Sequence, residues 1–133
     1  IPFCRGGAQK ALASSLAKEE ELGIAVCDSV CDAGGRLVVF CRMDQSNWAS
    51  IYGGQGKALT AAATRGRSGV IPPESVVMQR IAELEGKNMI YAKGAVPLIR
   101  DGVLLGAVGV GGASADMDEA CALAAAHALS CDV

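Results

Sequence analysis

The sequence predicts an α+β fold, an antiparallel sheet with helices packed on it. Three observations carry this. The elements read in the order helix, two strands, helices, three strands, helix, and hairpins rather than crossovers join most of the strands. Val103–Val110 is apolar at nearly every position, as in a strand covered on both faces by helices or by a partner subunit. Hydrophobic residues make up 51% of the chain but aromatics only 4%. The core is therefore expected to be Ala, Val, Leu and Ile, with its elements packed close together.

Each element follows from local pattern. Ala8 to Leu22 reads as a helix, with Ala8, Leu12 and Leu16 at four-residue spacing and Gly23 placed for a left-handed cap. Ile24 to Asp44 reads as a hairpin turning at Asp32-Ala33-Gly34-Gly35, which puts Cys41 across from Val26–Asp28. Gln45 to Arg65 reads as helical, with a break or second start near Gly56, because Gly53, Gly54 and Gly56 each cost about 1 kcal/mol relative to Ala. The alanines that follow, Ala58 and Ala61–Ala63, allow another backbone to come near. Arg65–Val70 is a loop. Pro72-Pro73-Glu74 is expected to start a short helix with the apolar stripe Val77, Ile81 and Leu84. Met89–Ala92 reads as a short strand. Ala95–Arg100 and Val103–Val110 form a hairpin through Asp101-Gly102, with Pro97 suited to an edge or a bulge. Met117–Ser130 is the last helix, with Asp116 as its cap and Glu119 completing a capping box.

The totals bound the function. The 133 residues suit one domain, residues 1–133, with a real core. A net charge of −2 gives no mark of a nucleic-acid binder. Charge is uneven, however: Arg36, Arg42, Lys57, Arg65 and Arg67 face Asp44 alone in the middle of the chain, while no Lys or Arg follows Asp101. A basic middle suits an anionic small ligand, or is a solvated face. Mean hydropathy of +0.33 suggests a second buried surface, with a homo-oligomer of closed symmetry as the expected cause. The longest apolar runs, Val103–Ala115 and Cys121–Cys131, fall short of the roughly 18 residues of a membrane span. No membrane contact and a cytoplasmic location are expected, with the native N-terminus left open because the chain starts at Ile1. Six cysteines invite a disulfide reading, but a core this apolar folds without staples. With one His and a Cys27-x-x-x-Cys31 spacing, no metal site is expected.

Several constellations could carry chemistry. Gly109-Val110-Gly111-Gly112-Ala113-Ser114 lacks the Gly-Lys-Ser/Thr ending of a phosphate loop, and Asp116, Asp118 and Glu119 behind it would repel phosphate. It is either tight backbone packing or a pocket floor offering the N–H groups of Gly111 and Gly112. Arg42 and Asp44 share one side of a strand, where they could orient a polar ligand, pair with Lys57, or stand as a surface ion pair. Lys57 and Thr60 share a helix face turned to a ligand or to solvent. Lys57, Asp44 and Glu119 are the candidates for acid or base work. His127 stands alone among alanines.

In their order and spacing, these pieces resemble the GlcG/HbpS family, the haem-degrading or DUF336 domain also found at the C-terminus of PduO-type proteins. The carrying residues are Ala25–Asp28, Asp32–Leu37, Arg42–Asp44, Lys57–Ala62, Val96–Leu98, Asp101–Val110 and Asp118-Glu119. The resemblance implies a five-stranded antiparallel sheet flanked by helices, of profilin-like type, assembled into dimers or larger oligomers, with haem bound by some relatives. Two departures stand out. Gly111 replaces a serine common in relatives, and the first helix lacks the His expected of haem binders, which leaves His127, Met43, Met78, a Cys or Tyr91 as axial ligands. The function expected is a small-molecule-binding domain for haem or another planar or anionic metabolite, with Arg42, Asp44, Lys57, Thr60, Gly111 and Gly112 around the ligand. The alternative is a cofactor-independent isomerase, lyase or cyclase using the same pocket.

Overall fold

The structure, a computed structural model, describes residues 3–132. The helices are α1 (Arg5–Leu22), α2 (Ser50–Thr64), α3 (Val76–Leu84) and α4 (Ala115–Ala128), and the strands β1 (Cys27–Asp32), β2 (Leu37–Arg42), β3 (Ala95–Arg100) and β4 (Val103–Gly111). The strands form one antiparallel sheet in the order β2-β1-β4-β3. Helices α1 and α4 cover one face, where Val30, Val96, Leu98, Val108 and Val110 meet Ala8, Ala11, Cys121 and Ala125. Helix α2 covers the other face, where Cys31, Ala95 and Ala107 meet Ala58, Ala61 and Ala62. Strand β4 is thus buried on both faces within one chain.

Turn chemistry sets the hairpins. The Asp32 carboxylate accepts the N–H groups of Gly34 (2.9 Å) and Arg36 (3.0 Å), closing the first turn and setting Asp28 opposite Cys41 as the spacing predicts. The second turn has positive φ at both Asp101 (52°) and Gly102 (76°), the conformation whose twist matches the strands. Pro97 lies on the edge strand β3, next to a register shift at Leu98/Ile99. Helix α1 ends at Gly23, whose φ of 69° and N–H bonds to Glu19 and Glu20 carbonyls make the expected left-handed cap.

Four expectations are corrected. The described sheet has four strands, not five. Met89–Ala92 is apolar enough for a strand, but its backbone is tied elsewhere: the Ile90 N–H donates to the Gly56 carbonyl (3.1 Å), and the Ser68 hydroxyl donates to the Ala92 carbonyl (2.6 Å). Helix α2 runs unbroken through its glycines, two of which, Gly54 and Gly56, are contact points. A Cβ on Gly54 would lie 3.2 Å from the Gly109 carbonyl oxygen, and one on Gly56 would lie 2.7 Å from the Asn88 carbonyl oxygen. Helix α3 starts behind Ser75, whose hydroxyl accepts the Met78 N–H (3.4 Å), and not at Pro72-Pro73-Glu74, which precede it as a turn. Its stripe faces outward, with Val77 69% and Leu84 76% exposed. Helix α4 is capped by Ser114, whose hydroxyl accepts the Met117 N–H (3.2 Å), while Asp116 instead pairs with Lys93 (2.6 Å). Among the described residues no helix is long and apolar enough to cross a membrane.

The closest helix-to-sheet approach generates a prediction. A Cβ on Gly109 would strike the Gly54 carbonyl oxygen and sit 2.7 Å from the Ala58 nitrogen, whereas one on Gly53 meets nothing within 4 Å. Gly109→Ala is expected to lower stability by about 3 kcal/mol, and Gly53→Ala to raise it by about 0.5–1 kcal/mol. Chemical denaturation of both variants checks the pair.

Candidate functional site

The β1–β2 turn, α2 and the segment after α3 surround a cavity of about 460 Å3. Alternation along β1 turns Ser29 and Cys31 toward α2, and both line it. Gly56, Ala58 and Leu59 supply the helix wall, and Ile90 lines the cavity beside Gly56. Arg36, Tyr52 and Lys87 are exposed residues of the lining, with Tyr52 66% exposed. The cavity is shaped by the same glycine that keeps α2 low on the segment behind it: no side chain at Gly56 intervenes between the helix and Asn88–Ile90. A second hollow of about 280 Å3 shares Gly35, Arg36, Leu59 and Glu85 with it, and is walled by Ile81 and Leu84 of α3. The Arg36–Glu85 ion pair (2.6 Å) stands where the two meet.

The lining is chemically uneven. Burial pushes the Cys31 thiol up to about 12, so it stays protonated, and it donates to the Ala58 carbonyl at 3.6 Å. Ser29 is fully buried, and its hydroxyl has no hydrogen-bond partner among the described residues. Two cations, Arg36 and Lys87, face one anion, Glu85, around the cavity.

The residues singled out from the sequence lie elsewhere. Arg42 and Asp44 are exposed at the opposite end of the first hairpin from this cavity. Lys57 is buried, and its Nζ donates to the Val110 carbonyl (3.0 Å) and pairs with Asp118 (3.2 Å) rather than with Asp44. Burial lifts Asp118 above the ordinary carboxylate range, against the pull of Lys57. The Thr60 hydroxyl is spent within its own helix, on the Gly56 carbonyl (2.9 Å). Glu119 accepts from Arg67 (3.0 Å). Gly111 and Gly112 press on the start of α2, where added Cβ atoms would lie 3.0 Å from the Gly54 nitrogen and 2.7 Å from the Ser50 hydroxyl. Lys57 therefore meets the glycine turn through Val110, but Asp44 and Glu119 do not join it in one constellation. None of these residues lines the cavity. Of the iron ligands expected from the sequence, His127 is exposed on α4, the Tyr91 hydroxyl donates to the Met78 carbonyl (2.6 Å), and Cys31 alone lines the cavity, where Tyr52 stands as well. The six cysteines are free thiols, and among the described residues no three His, Cys, Asp or Glu side chains converge as metal ligands would.

On the other face of β1 the structure holds a buried acid pair that pattern reading missed. Ser15 Oγ lies 2.8 Å from Glu19 Oε2 and 2.5 Å from Asp28 Oδ1, with all three residues fully buried. A hydroxyl has one proton, so it donates to one carboxyl and accepts from the other, which must then be protonated. Burial, and then the bond and charge of Asp28, push Glu19 up to about 9, and burial raises Asp28 as well. Asp118 adds repulsion from α4, and the Cys41 and Cys121 thiols lie within the field of the pair. Glu19 was hidden in the run Lys18–Glu21, where three of the four charges are solvated or surface-bound. The available signal was Asp28-Ser29, two consecutive polar residues inside the strand Cys27–Asp32.

The folded state thus holds a proton on Glu19 that the unfolded chain sheds above its ordinary value of 4.5. The pair's contribution to stability is full below that value and is lost as pH rises through about 9. Glu19→Gln keeps a donor toward Asp28 without a titrating group. Its melting temperature is expected to match the parent near pH 5 and to exceed it by roughly 5 °C at pH 8. Thermal melts across that range check this.

Comparison with known proteins agrees with this architecture. The chain is 30% identical over 109 residues to corrinoid adenosyltransferase PduO of Salmonella typhimurium, a match that covers 79% of this chain and 32% of that protein. It therefore spans about a third of that relative's length. Klebsiella pneumoniae protein ORFY superposes with a TM-score of 0.85 at 26% identity, covering 98% of this chain and 92% of that one. A PduOC structure solved as a haem complex superposes with a TM-score of 0.86 at 24% identity, covering 99% and 98%, a likeness of fold. The family model for the haem degrading protein HbpS-like matches residues 3–127, and with nearly the whole chain inside that match the protein belongs to the HbpS-like family.

Proposed function

We propose that this chain is a small-molecule-binding domain whose guest is planar and anionic, held in the cavity between the β1–β2 turn and α2. The observation that carries this is the lining: apolar surface from Leu37, Leu59 and Ile90, with Arg36 and Lys87 placed to meet carboxylates. A volume of about 460 Å3 is that of a small-ligand site. The domain is proposed to work as a homo-oligomer, which the outward-facing Val77, Ile81 and Leu84 of α3 support.

Haem is the first candidate, because the family is named for it and a structural neighbour is a haem complex. The residues fit its periphery, and not an iron ligated by histidine or thiolate. Leu37, Leu59 and Ile90 would hold the macrocycle, and Arg36 and Lys87 its carboxylates. The lining has no imidazole, the Cys31 thiol is protonated to about 12 and offers no thiolate, and the exposed Tyr52 phenol is the remaining lining group of an axial-ligand type. When bound, haem would supply redox chemistry, and the chain's own residues would orient and shield it.

A haem titration followed at the Soret band, run beside a titration with the aromatic anionic dye 8-anilinonaphthalene-1-sulfonate, tests the reading. Saturable binding of the dye at micromolar protein is expected, weakened about tenfold in Arg36→Ala/Lys87→Ala. Haem is expected to bind without the spectrum of a histidine-ligated iron. Absence of any Soret change removes the haem version, and absence of dye binding removes the cavity as a site.

A further inference from the structure

Three buried side-chain oxygens have no hydrogen-bond partner among the described residues: Glu19 Oε1, Asp28 Oδ2 and Ser29 Oγ. The first two belong to the proton-sharing pair on the α1 face, whose other oxygens are bound by Ser15. Ser29 is different. It lies on the opposite face of β1, is fully buried, and lines the cavity. The other polar group on this stretch of the floor, the Cys31 thiol, is already used on the Ala58 carbonyl. A buried hydroxyl left unpaired is costly, and Ala would fill the same space without that cost.

We propose that Ser29 is a specificity-determining residue of the cavity, recognising a hydroxyl or carbonyl at the inner end of a guest whose carboxylate lies at Arg36. This rests on the cavity reading above and narrows its guest. Ser29 stands opposite Phe40 in the sheet, and Arg36 precedes Phe40 by four residues. That places the two positions roughly 13 Å apart along the hairpin, with the Arg36 guanidinium held beside the cavity by Glu85 (2.6 Å). The apolar surface of Leu59 and Ile90 shares the cavity with both ends. The chemical class that satisfies every group is a rigid, flat carboxylic acid with one hydrogen-bonding oxygen at the far end. A hydroxyl serves as well as a carbonyl, because the serine hydroxyl both donates and accepts. A macrocycle whose polar groups all lie on one edge would meet Arg36 but leave Ser29 unpaired.

The test compares two acids that differ in one oxygen, 2-naphthoate and 6-hydroxy-2-naphthoate, by fluorescence titration against the full chain. The parent protein is expected to bind the hydroxy acid about five- to tenfold more tightly. Ser29→Ala removes an unpaired hydroxyl and is expected to fold, to bind 2-naphthoate as the parent does, and to lose the preference. Arg36→Ala is expected to weaken both acids equally. Equal binding of the two acids by the parent, or a preference that survives Ser29→Ala, overturns the role of Ser29 while leaving the cavity as an anion site. Binding of neither acid overturns both.

Discussion

The contact between the backbones of α2 and β4 is the constraint from which the rest of the architecture follows. Gly54 and Gly109 meet with no side chain between them, and a Cβ at Gly109 would collide with the helix itself. At that separation the helix can present only small residues to the sheet, and it presents Ala58, Ala61 and Ala62. Close backbone approach replaces large side chains as the means of excluding water, which is why a chain with 4% aromatic residues can still bury a core. Helix propensity yields to this contact. Gly54 and Gly56, which weaken α2 in isolation, are the residues that seat it.

The same constraint divides the molecule into two chemically distinct halves. On the α1/α4 face the sheet carries Val and Leu, and the polar exceptions are gathered into the Ser15–Glu19–Asp28 cluster, which shares a proton to remain buried. On the α2 face, packing is tight over β4 and the Lys57–Asp118 pair, then opens over the outer part of β1, where Leu59, Arg36 and the 88–90 segment stand apart. The open space therefore lies at the turn end of the first hairpin. The opposite end, where β2 finishes and the glycine turn begins, is filled by the start of α2.

Much of the fold was legible because its determinants are local. Asp101-Gly102, Asp32 with its two backbone bonds, and Gly23 each act within a few residues, so their turns and registers could be read directly. Met89–Ala92 could not, because its backbone partners Gly56 and Ser68 are distant in sequence and compete with a sheet edge. Asp116 and Ser114 are both good caps, and only the extended backbone at Ser114, with φ −67° and ψ 154°, decides between them. The site was less legible for the same reason. Lys57 finds Asp118 across 61 residues, a pairing that no spacing rule reveals. Arg36 stood out in the sequence as a middle-chain cation and as part of Asp32–Leu37, and Ser29 did not stand out at all. What singles them out is the face of β1 and the reach of the turn, which are properties of the folded chain.

The proposal that the ligand site lies at the turn end of the first hairpin is tested most directly by mapping a bound aromatic anion onto the backbone amides. Titration of isotope-labelled protein with 8-anilinonaphthalene-1-sulfonate, followed by amide chemical shifts, would do this. The account predicts saturable shifts concentrated at Ser29, Gly35, Arg36, Leu59 and Asn88, with Asp44, Gly111 and Gly112 unmoved. Shifts concentrated at Asp44, Gly111 and Gly112 instead, with the cavity residues silent, would contradict it.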